Sequence, residues 1–273
     1  MTSRRSSTAI YLVVLLGMSS ALWAQQTKTP TLAQILQRLQ ENVDQYQAQV
    51  PSFFCDEHVV SKKRPDPQHE GRITDSTFRM KRDPTPDVHG KPVLEESREI
   101  KMVNGKPAHG EYLSGPTTVT GAFSGGLALV SLSQQACMRY TLKPIKANDP
   151  QKPITILFTS VRPSEHSEDC IMQEDLNGRV QIDQGTMQIT RLQFHATHHH
   201  ITPDIAGVWD FAIDYTPILL EGKSFWLPAK IDVKMVGDLN NYVIRWSLDA
   251  TYSNYHKLEV TSRILPWSEA PAP

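Results

Sequence analysis

The apolar residues Leu32, Ile35, Leu36, Leu39, Val43 and Tyr46 recur three and four positions apart, which is the repeat of one face of a helix. Thr31 stands before them as an N-cap whose hydroxyl can take a free backbone N–H, and Pro51 closes the segment. The spacing predicts an amphipathic helix of about five turns with a Gln-rich, solvated opposite face. After Pro51 the period changes to two. Ser52 to Val60 alternates as a strand does, and Arg72 to Arg82 places Ile73, Phe78 and Met80 among Thr, Ser and Arg. Val93 to Val103 is a charged extended stretch ended by Asn104-Gly105, a strong turn signal, while the Pro- and Asp-rich link Asp83 to Pro92 reads as a loop.

Between Gly121 and Ala136 the apolar residues Phe123, Leu127, Val130 and Leu132 cluster at helical spacing. A short inserted helix is predicted there, with Gly125-Gly126 working against it. The second half is strand-rich: Met138 to Ile145, Ile154 to Val161, Gly178 to Ile182, Met187 to Ala196, Trp209 to Leu219, Ser224 to Met235 and Tyr242 to His256. Turn residues at Asn148-Asp149, Asp183 to Gly185, Glu221-Gly222 and Gly237 to Asn241 join them. Successive strands with short connections predict an antiparallel meander, and so long a sheet needs a second layer, for which the two helices are available. The fold class expected is α+β, mainly β: a curved antiparallel sheet covered by an N-terminal helix and one short inserted helix.

The N-terminus changes where this domain is expected to work. Arg4 and Arg5, the apolar run Ala9 to Leu16, and small residues at Ser19, Ala21 and Ala24 before Gln25 have the three-part order of a secretory signal peptide. The run is short for a membrane span, and no cysteine stands at the cleavage point to be acylated. The expected organisation is a cleaved signal over 1–24, a single domain over 25–265 and a disordered Pro-rich tail over 266–273, in the periplasm or secreted, with no integral span after processing. Removing Arg4 and Arg5 from 28 basic residues leaves 26 against 29 acidic ones, a net charge of about −3. That balance gives no electrostatic drive towards nucleic acid, and Lys62-Lys63-Arg64 and Arg79, Lys81 and Arg82 read as solvated charges.

Three cysteines, Cys55, Cys137 and Cys170, remain in an oxidising compartment, so one disulfide and one spare thiol are expected. Spacing leaves the pairing open; Cys137 with Cys170 is the pair expected, because the two flank a strand pair running from Arg139 to Val161. No activating base is evident beside any of the three.

Other chemistry is sparse. His195 and the triplet His198, His199 and His200 have spacings at which imidazoles can share a metal, yet a functional zinc site draws three or four ligands from separate rigid elements. The cluster runs into Thr202-Pro203, a strand end, and reads as weak metal affinity. His58, beside Asp56 and Glu57, reads as a solvated strand histidine. Glu165 to Asp169 holds the residue types of a hydrolytic triad, but triads are assembled from distant segments. No GxSxG, Walker, Rossmann or HExxH motif occurs. The glycines of Gly121 to Gly126 lack the lysine and spacing of a phosphate loop. No cofactor is expected.

The aromatic residues say more. Trp209, Phe211 and Ile213 share one face by period, as do Tyr242, Ile244 and Trp246. Such a pattern makes an ordinary sheet core, or an open concave sheet whose inner face receives an apolar ligand.

Gly178 to Asp183, followed by Thr186, Ile189 and Thr190-Arg191-Leu192, forms a strand, an Asp-led turn and a strand. Ile213-Asp214-Tyr215 and Ser224-Phe225-Trp226-Leu227-Pro228 form a following pair that returns through a glycine turn to an aromatic-Leu-Pro segment. Together these resemble the LolA/LolB-like periplasmic lipoprotein-carrier family over Gly178 to Lys230. The resemblance implies an incomplete half-barrel whose concave apolar face holds acyl chains under a helical lid. This chain departs from the short carriers in its length, its extra strands between Phe53 and Val103, and its cysteines.

The function expected is that of a non-enzymatic exported protein binding a lipid, lipoprotein acyl chain or other apolar ligand as carrier or envelope sensor. Trp209, Phe211, Tyr215, Phe225 and Trp246 are the ligand-binding candidates. The alternatives are a metal-dependent hydrolase using His195, His198 and His200, and an interaction module whose strand edges pair with an envelope protein partner.

Overall fold

The computed structural model describes residues 30–64, 71–83, 85–86, 92–109, 118–123, 125–144, 151–161, 170–202, 205–239 and 242–259. The expected signal peptide, the Pro-rich tail, the Asn148-Asp149 turn and Glu165 to Asp169 lie outside these. Helix α1 runs from Leu32 to Gln49. The Thr31 hydroxyl accepts from the Gln34 backbone N–H at 3.3 Å, and the Gln34 side chain accepts from the Thr31 N–H at 2.9 Å, a reciprocal capping box. Ile35, Leu36, Leu39, Val43 and Tyr46 are its buried residues. No helix among the described residues is long and apolar enough to cross a membrane.

Eleven strands among the described residues form one sheet: β1 (Phe53–Arg64), β2 (Arg72–Arg82), β3 (Leu94–Val103), β4 (Lys106–Pro107), β5 (Met138–Leu142), β6 (Ile154–Ser160), β7 (Leu176–Ile182), β8 (Ile189–Thr202), β9 (Ile205–Leu220), β10 (Lys223–Leu239) and β11 (Tyr242–Lys257). Their order is β4-β3-β2-β1-β11-β10-β9-β8-β7-β6-β5, and each described ladder is antiparallel. Two meanders are therefore joined at their chain ends, because β1 pairs with β11 from Phe53 opposite Lys257 to Arg64 opposite Arg245. β4 and β5 are the two edges, so the sheet is open.

The structure differs from the sequence reading in the inserted helix and in the bounds of several strands, β9 starting at Ile205 and β10 running through Gly237 to Leu239 where a turn was expected. The inserted helix over Gly121 to Ala136 is two 3-10 turns, Gly126–Leu129 and Leu132–Gln134. Gly121 has φ +80°, which a regular helix excludes, and Gly126 lies so close beneath Tyr215 that an added Cβ would stand 2.5 Å from the phenol oxygen. The segment still buries Ala122, Phe123, Leu129 and Val130. The strand expected from Met187 begins at Ile189 instead, since Met187 has φ +56° in a turn built on Asp183. The Asp183 carboxylate accepts from the Thr186 N–H at 2.7 Å and its hydroxyl at 2.8 Å, and these bonds hold its pKa below the usual range. β8 then continues through the histidines to pair with β9 as far as Thr202 opposite Ile205.

Cys137 and Cys170 form a disulfide with their Cα atoms 5.5 Å apart, inside the usual span for a disulfide. Cys55 is free and buried.

Candidate functional site

Register sorts the sheet into two faces. Leu192 stands opposite Ile213, Phe194 opposite Phe211 and Ala196 opposite Trp209. The same rows continue as Ile231 and Ala250, Val233 and Leu248, and Met235 and Trp246. Directly paired residues share a face, so Trp209, Phe211, Tyr215 and Trp246 all belong to this inner side. Phe211, Tyr215 and Trp246 are buried, Trp209 partly so, and all join one apolar cluster with α1. Phe194 stacks on Phe211 at 4.9 Å, and Trp209 meets Phe211 edge-on at 5.2 Å.

Phe225 occupies a different place. It borders a cavity of about 370 Å³ between α1 and β10, together with Tyr46, Leu127 and Trp226. The rim is polar: Asn42, Gln45, Gln49, Gln188, Lys223 and Ser224. Asn42 donates to the Met187 carbonyl at 2.8 Å, and the Tyr46 hydroxyl donates to the Phe123 carbonyl at 2.9 Å. Burial, and then the charge of Glu96, push the Tyr46 phenol far above its usual range, and burial, and then Tyr46, do the same to Tyr215. Among the described residues, the buried Tyr215 hydroxyl has no hydrogen-bond partner.

A second cover is fastened to β3. Glu96 accepts from the Gly121 N–H at 3.0 Å and the Phe123 N–H at 3.3 Å, and Arg98 donates to the Val119 carbonyl. Phe123 is thereby held 4.2 Å from Phe78 and 5.0 Å from Tyr252. Arg98 also donates from Nε to both Glu57 oxygens at 2.9 and 3.0 Å, and the Tyr252 hydroxyl donates to the same carboxylate at 2.9 Å.

The histidines do not converge. His195 faces Asp210 across the ladder at 2.7 Å. The register shift between Ala196 and His199 carries His199 to the inner side, where it stacks on Trp209 at 4.2 Å and hydrogen-bonds Glu174 at 2.8 Å. A bulge thus separates the two imidazoles onto opposite faces. No group of three or more His, Cys, Asp or Glu among the described residues is placed to hold a metal. The side chain of His200 lies outside the described set. His58 is a half-exposed partner of Asp75 at 2.6 Å.

The outer face carries charge in cross-strand rows. Arg191 on β8 pairs with Asp214 on β9, and along β10 Lys230 pairs with Asp232 at 2.7 Å. Asp232 stands opposite Asp249. A shallow groove of about 640 Å³ runs over Arg179, Arg191, His195, Asp210, Asp232 and Asp249. The hydrogen bond with Asp232, and then burial, raise the Asp249 pKa above the usual carboxylate range.

Among solved structures the chain is similar to a LolA superfamily protein from Nitrosomonas europaea. The identity is 13% and the TM-score 0.37, over 85% of this chain and 96% of that one. It is also similar to the Pseudomonas aeruginosa MucA/MucB complex, at 8% identity and a TM-score of 0.21 over 79% of this chain and 93% of that one. A structure of MucB in complex with MucA(peri) is similar at 10% identity and a TM-score of 0.21, over 82% and 94%. No protein-family model and no curated protein matches the chain. The open antiparallel sheet with its N-terminal helix is the fold class expected from the sequence, a curved antiparallel sheet covered by a helix.

The buried Glu57, Arg98 and Tyr252 group is the feature that sequence reading missed. A signal for it was present: Glu57 has the same parity on β1 as Phe53, Cys55 and Val59, which are buried. A charge of that parity needs a partner.

Proposed function

We propose that this protein is a non-enzymatic, exported carrier or envelope sensor that holds a lipid or other acyl-chain ligand between the sheet and its helical cover. The observation that carries the reading is the cavity of about 370 Å³ between α1 and β10, with Tyr46, Leu127, Phe225 and Trp226 around it. That volume lies within the range of small-ligand sites, and its wall is mixed, with Tyr46, Leu127, Phe225 and Trp226 to take the tail of an amphiphile and polar residues to take its head. Transfer of each methylene from water contributes about 0.8 kcal/mol, so a long tail binds without any charged group in the site. On this reading Phe225 touches the ligand first, Tyr215 lies behind it, and Phe211, Trp209 and Trp246 extend the surface along the inner face. Residues 25–265 then act as one domain, and the cover between Val119 and Gln134 moves with the ligand.

Displacement of a fluorescent fatty-acid probe by hexadecanoate tests this, with Leu127→Trp as the cavity-filling variant. The expected result is saturable displacement by the parent protein and at least about ten-fold weaker binding by Leu127→Trp, with an unchanged melting temperature. Absence of displacement, together with a lipid-free mass for the gently purified protein, overturns the reading.

A further inference from the structure

The inner face bears unpaired donors at the end of the sheet remote from α1. Among the described residues, the indole Nε1 of Trp246, the indole Nε1 of Trp209 and Nη1 of Arg72 are buried without a hydrogen-bond partner. Trp246 is only 7% exposed. Lys63 stands directly opposite Trp246 in the β1–β11 ladder, with Nζ 5.8 Å from the indole centroid. Arg72 is opposite Ser61 in the next ladder, one same-face step along from Lys63. Two cations and an indole N–H thus occupy neighbouring positions on three adjacent strands. Among the described residues of the inner side, Glu174 is engaged by His199 and Glu57 by Arg98 and Tyr252.

Buried donors without acceptors are rare because each forfeits the hydrogen bonds it made to water. Three such N–H donors in one region, two of them flanking Met235 in a single row, with the Thr74 hydroxyl two residues from Arg72 also unpartnered among the described residues, are the complement of an anionic acceptor. We propose that Trp246, Arg72 and Lys63 hold the anionic oxygen head, carboxylate or phosphate, of the amphiphile whose tail the inner face receives; this rests on the lipid-binding reading above. From Trp209 to Tyr215 is six residues of extended β9, about 20 Å. A tail laid along that row passes Phe211 and Ile213 and ends near Tyr215 and Tyr46, at the α1 cavity.

The test compares four probes by calorimetry: hexadecanoate, hexadecyl phosphate, hexadecanol and inorganic phosphate. The expected result is that at least one anionic amphiphile binds about ten-fold or more tighter than hexadecanol, as charge-assisted hydrogen bonds require. Arg72→Met and, separately, Lys63→Met should erase that preference while leaving hexadecanol binding unchanged; both keep an aliphatic stem, so one informs if the other fails to fold. Equal binding of the anionic and neutral amphiphiles overturns this inference and leaves the lipid-binding reading standing. Inorganic phosphate binding as tightly as hexadecyl phosphate overturns it in favour of a free-anion site. Failure of all four probes to bind overturns both.

Discussion

Arg98 reaches over the ring of Phe78, 4.9 Å from its centroid, to meet Glu57 two strands away at 2.9 Å. Both side chains are almost wholly buried, 7% and 1% exposed. The same guanidinium donates to the Val119 carbonyl, so one residue neutralises the core carboxylate and ties down the cover that begins at Val119.

Removing Arg98 should therefore be expensive. Arg98→Met keeps the stem over Phe78 but strands the Glu57 carboxylate with only Tyr252, and breaking a buried pair on one side costs about 3–5 kcal/mol. Urea denaturation should show that loss, and hydrogen exchange should show early opening at Gly121 and Phe123. A loss below about 1 kcal/mol would mean that water reaches Glu57.

What the sequence made legible follows the range of the interactions. Helix α1 could be read because its cap, period and stop lie within twenty residues, and the hairpins β7–β8, β9–β10 and β10–β11 because each carries its own turn residues. The β1–β11 ladder that joins the chain's two ends has no local signal. Nor does the bulge after Ala196 that sends His195 and His199 to opposite faces. The two 3-10 turns were hidden because helical spacing at Phe123, Leu127 and Val130 also suits a loop pressed onto a core, and only the contact of Gly126 with Tyr215 decides between them. Disulfide pairing was readable as far as Cys137 and Cys170 flanking one strand pair.

Gly126 and Tyr215 should be energetically coupled. Gly126→Ala places a Cβ 2.5 Å from the Tyr215 oxygen and 3.1 Å from Ile213 Cδ1, an overpacking that costs about 1–3 kcal/mol. Tyr215→Phe removes a buried hydroxyl that has no partner among the described residues, and should be neutral or stabilising. The double variant should recover a large part of the single-variant loss in chemical denaturation. Strict additivity would show that the phenol moves aside at little cost.

The cysteines should behave as two unlike populations. The 33-residue separation of Cys137 and Cys170 gives a closed loop whose chain entropy accounts for about 3–4 kcal/mol. Reduction, or Cys137→Ser with Cys170→Ser, should lower stability by about that amount. Burial, and then the charge of Glu57, push the Cys55 thiol up to about 12, so it is protonated and shielded at pH 8. A thiol reagent should label no site in the native oxidised protein and one site after denaturation; rapid native labelling would place Cys55 at an opening in the cover.

The outer face supplies a pH test. Asp249 has its folded pKa raised by Asp232, while Asp232 is lowered: partial burial opposes this, and hydrogen bonds with Lys230 and Asp249 outweigh it. A raised carboxyl pKa means that the folded state binds the proton more tightly than the unfolded chain. The stabilisation from that proton is present below the unfolded value of 3.8 and is lost as pH rises through the folded pKa of Asp249; Asp232 contributes in the opposite sense. Asp249→Asn removes one carboxylate from a like-charged cross-strand pair, so it should raise the melting temperature modestly at pH 7. The gain should shrink as the buffer is taken towards pH 4, where the parent regains its shared proton. A gain that stays constant from pH 4 to pH 7 would show that the two carboxylates titrate independently, and that the lysine and arginine rows around them, not the shared proton, hold the outer face together.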